Sequence, residues 1–150
     1  MAGTFSHLYF HVVFSTKHRA PMLTPEYTQR LYPYLGGLLR KENAGLRAVG
    51  GIEDHVHLLI STRPVHAIAD LVRIIKSRSS EWMHETFPAA RDFAWQSGYG
   101  AFTVSKSQMD KVIRYIENQA QHHQKEDYLT ELKSLLDAHE IDYREEYLAD

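Results

Sequence analysis

Residues 46–61 read LRAVGGIEDHVHLLIS. Two apolar runs, 46–52 and 55–61, flank the polar pair Glu53-Asp54, and this pattern predicts a β-hairpin. Side chains alternate along a strand, so residues i and i+2 share a face about 6.6 Å apart. Val56, Leu58 and Ile60 must therefore point to one side, and His55 and His57 to the other. A chain with this segment is committed to a sheet that has a core on one face and two imidazoles on its opposite face.

The rest of the chain supplies partners for such a sheet. Residues 4–16 also alternate. Leu8, Phe10, Val12 and Phe14 lie on one side, and His7, Tyr9, His11 and Val13 on the other. This predicts a half-buried first strand. Thr24-Pro25 opens a helix with proline at its first position. Leu31, Leu35, Leu38 and Leu39 give that helix an apolar stripe to about residue 42, and Asn43-Ala44-Gly45 ends it. A second helix is expected over about 65–86, with Ile68, Leu71, Val72, Ile75 and Trp82 inward. Residues 93–104 read as a bent strand. Ser107, with Asp110 three residues on, resembles an N-cap. The helix it opens runs to about residue 123, and a last helix over 127–138 precedes an acidic tail. The order β-α-β-β-α-β-α-α predicts an α+β fold, a ferredoxin-like sandwich. Two helices cover one face of an antiparallel sheet, and the other face is open for chemistry. One domain is expected over 1–150: a core of about 4–105, a helix of about 107–123, and a C-terminal helix with the acidic tail over about 125–150.

Composition narrows the chemistry. The 150 residues contain no cysteine, which excludes disulfides, zinc-thiolate sites and thiol nucleophiles. That fits a cytoplasmic protein. The N-terminus lacks a basic region ahead of an apolar stretch, so no signal peptide is expected. No apolar run approaches the roughly 18 residues of a membrane span. Net charge is 17 − 19 = −2, so a polyanionic partner must be held by local patches. Lys17-His18-Arg19, Arg40-Lys41 and Arg73/Lys76/Arg78 are such patches. Acidic residues gather late, at Glu126, Asp127, Glu131 and in DYREEYLAD.

His55 and His57 can bend toward one divalent cation, but two nitrogens leave a site incomplete. Histidine-triad hydrolases need a further histidine where this chain has Leu59. A helical projection of residues 107–123 puts Met109, Val112, Ile113, Ile116 and Ala120 on a packing stripe. Tyr115 and Gln119 lie together on the adjacent stripe, one turn apart. His122 shares the Tyr115 face, whereas His123 projects toward the core and reads as structural. A cation held by His55, His57 and the Gln119 amide oxygen could polarise a phosphodiester beside Tyr115. Attack by the phenolate would form a phosphotyrosine and conserve the energy of the bond. Two other classes stay open on the residues alone. One is a metal-dependent hydrolase in which Tyr115 is structural. The other is a binding module that stacks bases on Tyr9, Tyr99 and Phe102.

DHVHLLIS, the later YIENQAQHH, HVVFSTKHR after the first strand and GYGAFTVSKSQ before the helix together resemble a known family. It is the single-tyrosine HUH transposases of insertion sequences, the two-hundred/six-oh-five group, with its REP-associated tyrosine transposase relatives. The resemblance spans essentially the whole chain. It implies that His55 and His57 are the metal-binding pair, Gln119 the third ligand, and Tyr115 the nucleophile that forms a 5′-phosphotyrosine. It also implies Mg2+ or Mn2+, a single-stranded DNA substrate with hairpins, and a homodimer in which one subunit's tyrosine can serve the other's histidines. His11 falls near the pair if the first strand neighbours the HUH strand. Asp54 could orient an imidazole or simply form the turn. Lys17, Arg19, Lys76 and Arg78 are candidates for contacts with the DNA backbone. His122 could contact phosphate. A relative acting on dispersed genomic hairpins would share all of this chemistry.

Overall fold

Strands β1 (Leu8–Ser15) and β3 (His55–Thr62) pair antiparallel along their whole length, with Leu8 opposite Thr62 and Ser15 opposite His55. The computed structural model describes residues 3–123 and 126–148. Strand β2 (Gly45–Ile52) flanks β3, and β4 (Gly100–Thr103) flanks β1, giving a four-stranded antiparallel sheet in the order β2-β3-β1-β4. The turn between β2 and β3 is at Glu53-Asp54, as the sequence predicts. The bent strand expected over 93–104 is shorter: only 100–103 pair as a strand, and Trp95 makes one isolated bridge to Thr16.

Helices α1 (Pro25–Lys41) and α2 (Ile68–Thr86) pack on one face of the sheet. The core there joins Val12, Phe14, Val56, Leu58 and Ile60 of the strands to Leu31, Leu35, Leu71 and Ile75 of the helices. Both alternation patterns are therefore realised.

The opposite face is not open, which corrects the expectation from sequence. It is covered by α3 (Met109–Glu117), α4 (Gln119–His122) and α5 (Tyr128–Ala138). The physical reason is that this face is itself largely apolar. Leu59 and Ala48 pack with Met109 and Ile116. Val13 and Phe102 pack with Tyr128, Leu132 and Leu136. Leaving that surface wet would forgo about 25 cal/mol for each Å² of apolar area. Phe102 is thereby buried and presents no free ring for stacking bases.

Two local details also differ. Ser107 makes no capping hydrogen bond to the helix; its hydroxyl lies 3.1 Å from that of Ser105, and a single 3-10 turn over Lys106–Gln108 leads into α3. The helix expected to run unbroken to residue 123 is interrupted at Asn118 (φ −104°, ψ 26°). Beyond this break the phase shifts, so that Gln119 is buried and Ala120, placed on the packing stripe by the projection, is exposed.

The height of α3 above the sheet is set at Gly50. A Cβ there would lie 2.1 Å from the backbone carbonyl oxygen of Ile116. No side chain fits, and backbone cannot yield as a flexible side chain can. Gly50→Ala is expected to destabilise the protein by roughly 1–3 kcal/mol, the usual range for overpacking a filled contact. Urea unfolding measures this. An unchanged midpoint would mean that α3 does not sit on β2 in this way.

Candidate active site

The site is built where β3 passes beneath the C-terminal helices. His55 and His57 are both fully buried on the helix-covered face, as their spacing requires. Each of three imidazoles is anchored on its outer nitrogen. His55 Nδ1 donates to Asp54 Oδ1 at 2.7 Å, and His123 Nδ1 donates to the Glu126 carbonyl at 2.5 Å. His57 Nδ1 lies 2.7 Å from Nε2 of His11 on the neighbouring strand. All three rings thus turn Nε2 inward, the way anchored imidazoles are oriented around a cation.

The inward nitrogens meet acceptor oxygens. His55 Nε2 is 3.0 Å from Gln119 Oε1. Glu131 of α5 brings Oε1 to 3.0 Å from His57 Nε2 and 2.9 Å from His123 Nε2. Its other oxygen accepts from the Tyr115 hydroxyl and, at 3.1 Å, from the Gln119 side-chain amide. Tyr115 is half-buried and stands edge-on to His57, with 5.6 Å between ring centroids. The tyrosine and Gln119 lie beside the histidines of their own chain.

The charges follow from this packing. Burial pulls the His55 pKa down, yet its bonds to Asp54, Glu131 and Gln119 outweigh that and carry it up to about 9. Burial and the neighbouring His57 lower His11 to about 3, so His11 is neutral. Burial likewise lowers His57. Burial opposes ionisation of Glu131, but the bonds from His55 and His57 hold its carboxyl well below the usual range. Burial and the Glu131 carboxylate push the Tyr115 phenol up.

A divalent cation fits these residues. The inward Nε2 atoms of two strand imidazoles, which offer lone pairs once they lose their protons, converge with a carboxylate and an amide oxygen, and the imidazolium charge on His55 occupies the place that a cation's charge would take. His55, His57, His123 and Glu131 each offer one ligand atom, and these atoms all lie within 4.8 Å of one another.

Of the residues singled out from sequence, His55, His57, Gln119, Tyr115, His11 and Asp54 come together. His122 stands beside Tyr115, with 5.2 Å between ring centroids, and lies 3.2 Å from Glu126 Oε1. His123, read as structural, belongs to the cluster, because the core stripe on which it projects is the site itself. The basic candidates do not gather there. Lys76 and Arg78 sit on α2, across the sheet from the histidines. The Lys76 ammonium donates to the carbonyls of Gln96, Ser97 and Gly98 at 2.8, 3.3 and 2.6 Å, which leaves it no donor for a phosphate. Lys17 and Arg19 lie in a 3-10 turn just after β1, near Asp54.

Glu131 escaped the sequence reading. Its signal was available: α5 buries Tyr128, Leu132 and Leu136, and Glu131 is a carboxylate on that same stripe. A charge on a buried stripe requires a partner.

The sheet order, the buried strand histidines and the tyrosine-bearing helix place the chain among the transposases. The family model described as "Transposase IS200 like" matches residues 4–119, and the chain belongs to that family. It is 29% identical over 117 residues to ISDra2 transposase TnpA of Deinococcus radiodurans, a match covering 75% of this chain and 84% of that protein. A crystal structure of a transposase from Deinococcus radiodurans R1 is similar at 30% identity and a TM-score of 0.66, over 79% of this chain and 95% of that one. A REP-associated tyrosine transposase bound to a REP hairpin shares the fold at 13% identity and a TM-score of 0.57, over 77% of this chain and 70% of that one. Among the described residues, no helix is long and apolar enough to cross a membrane.

The buried ion pair makes metal-free stability depend on pH. His55 is raised from 6.5 to about 9, so its contribution is complete below pH 6.5 and is lost as pH rises through 9. Glu131 is depressed from 4.5, so its contribution is complete above that value and is lost on acidification. Burial depresses His11 from 6.5 to about 3 and lowers His57 as well, so their contribution is complete above pH 6.5 and is lost on acidification. Thermal melts in a chelator should therefore peak near pH 6.5 and fall toward pH 9. In His55→Asn the alkaline fall should flatten; an equal fall in the variant would remove His55 as its cause.

Proposed function

We propose that this chain cuts and rejoins single-stranded DNA through a 5′-phosphotyrosine on Tyr115, assisted by Mg2+ or Mn2+ held by His55, His57 and Gln119. The observation that supports this reading is the meeting of Tyr115 and Gln119, separated from the histidines by some sixty residues of chain, with the inward nitrogens of His55 and His57. Imidazole and amide donors suit manganese, and the oxygen donors also suit magnesium. A bound cation would withdraw charge from the non-bridging oxygens of the scissile phosphate.

The chain's own residues account for the remaining steps. Glu131 Oε2 already accepts the Tyr115 hydroxyl hydrogen and is positioned to take that proton. Tyr115 Oη then forms a bond to phosphorus as the bond from phosphorus to the 3′ oxygen breaks. The departing 3′ oxygen takes a proton from solvent, to which Glu131 returns the phenolic proton, and becomes a hydroxyl. In rejoining, a 3′-hydroxyl attacks the phosphotyrosine and the phenol is restored, so no external energy source is required. Asp54 and His11 hold the two imidazoles in orientation.

A cavity of about 720 Å³ opens on Tyr115 between β4, α3 and α5, with Lys111 and Gln108 on its wall. We take this as the approach for the DNA strand. The hairpin-bound relative supports a hairpin-bearing substrate. We take residues 1–150 as one transposase domain, working in the cytoplasm as a homodimer.

Labelled single-stranded hairpin DNA incubated with the protein and Mn2+ should yield a denaturation-resistant adduct. Tyr115→Phe should abolish it completely. Asp54→Asn, which only frees the His55 ring, should lower activity or metal affinity by about 10–100-fold. Cleavage that survives in Tyr115→Phe would point to a hydrolase. Binding without any adduct, across several metals and sequences, would sink the enzymatic reading.

A further inference from the structure

We infer that Glu131 is itself a ligand of the cation site, so that cation binding and the docking of α5 on the sheet are a single equilibrium. This rests on the metal reading above, and it extends that site to an element the reading did not require.

The geometry of Oε1 points to this role. It lies 3.0, 2.9 and 3.3 Å from Nε2 of His57, His123 and His55. Around a small divalent cation with bonds of about 2.1 Å, neighbouring donors in an octahedral shell stand about 3.0 Å apart. The carboxylate oxygen already has the spacing of a coordination shell relative to all three nitrogens, and it need not move to join one.

Its surroundings agree. Glu131 is 1% exposed. Its ion-pair partners among the described residues are all histidines: His55, His57, His122 and His123. A buried charge is either paired or coordinates a metal. One surrounded by anchored imidazoles has the composition of a metal centre.

The consequence concerns α5. The helix is held by Tyr128, Leu132 and Leu136 against Val13 and Phe102, and by the Tyr128 hydroxyl donating to Gln96 Oε1 at 2.9 Å. Glu131 supplies its polar attachment to β3 and to Tyr115. A cation shared by His57 and Glu131 would cross-link β3 to α5. Whatever binds the docked state alone must also stabilise it, and the coupling is reciprocal.

The test uses the full chain and Mn2+ alone, without DNA. Mn2+ affinity, read from the loss of the free-ion electron paramagnetic resonance signal, should weaken at least tenfold in Glu131→Gln. Backbone amides of residues 128–138 should exchange hydrogen at least tenfold more slowly when Mn2+ is added to the unmodified protein, and this slowing should vanish in Glu131→Gln. Glu131→Ala, with circular dichroism to check the fold, provides a second variant. Unchanged affinity in both Glu131 variants, with loss of binding in His57→Ala, would overturn the Glu131 assignment while leaving the metal site. Faster exchange in α5 on adding Mn2+ would also overturn it, because the ion would then be displacing the carboxylate. Unchanged affinity in His57→Ala as well would overturn the metal reading and this inference with it.

Discussion

A buried carboxylate is a costly thing to build into a small protein, and among the described residues the one at Glu131 is stabilised by imidazoles, with no lysine or arginine partner. Three imidazoles, an amide and a phenol surround two oxygens, and each of those groups is fixed from behind. The β3 alternation delivers two of the rings, α3 and α4 deliver Tyr115 and Gln119, and α5 delivers the carboxylate. Remove any one of these elements and a buried polar atom is left without a partner. The same group of atoms is therefore a requirement of folding and the place where the chemistry is proposed to occur.

The sheet was legible from the chain alone because it depends on a strict local rule. Period-2 alternation in residues 4–16 and 55–61 assigns faces, and the faces are as read. The nearness of Gln119 to Tyr115 also follows from a local rule, one helical turn, although the break at Asn118 turns Gln119 further inward than an unbroken helix would. What escaped was non-local. Nothing near Leu59 or Phe102 announces that residues of α3 and α5, much later in the chain, will cover their face. Glu131 shows by its stripe only that it needs a partner; the partners themselves lie in three other elements, β3, α3 and α4 with its C-terminal cap. His123 projects onto the buried stripe, and the structure adds that this stripe runs into a polar cluster, where its Nε2 lies 2.9 Å from Glu131 Oε1. Lys76 is legible as part of a basic cluster, but the bonds of its ammonium to three carbonyls of the 96–98 segment are not.

That lysine begins a chain of contacts that crosses the whole molecule. Its ammonium pins the 96–98 segment. The side-chain oxygen of Gln96 accepts from the Ser15 backbone and from the Tyr128 hydroxyl. Tyr128 lies 4.9 Å, centroid to centroid, from the His55 ring and begins the helix that carries Glu131. The helix layer on the far side of the sheet thus influences how α5 is seated over the histidines, although no residue of that layer enters the site.

The contact at Gly50 has a consequence of another kind. The clearance between β2 and α3 is defined by a missing methyl group, and the tyrosine stands on that helix. The distance from Tyr115 to the histidines is thus calibrated outside the polar cluster, by a spacer with no chemistry of its own. Spacing and composition are separately adjustable in such a design: one can be retuned at the sheet while every atom of the cluster keeps its identity.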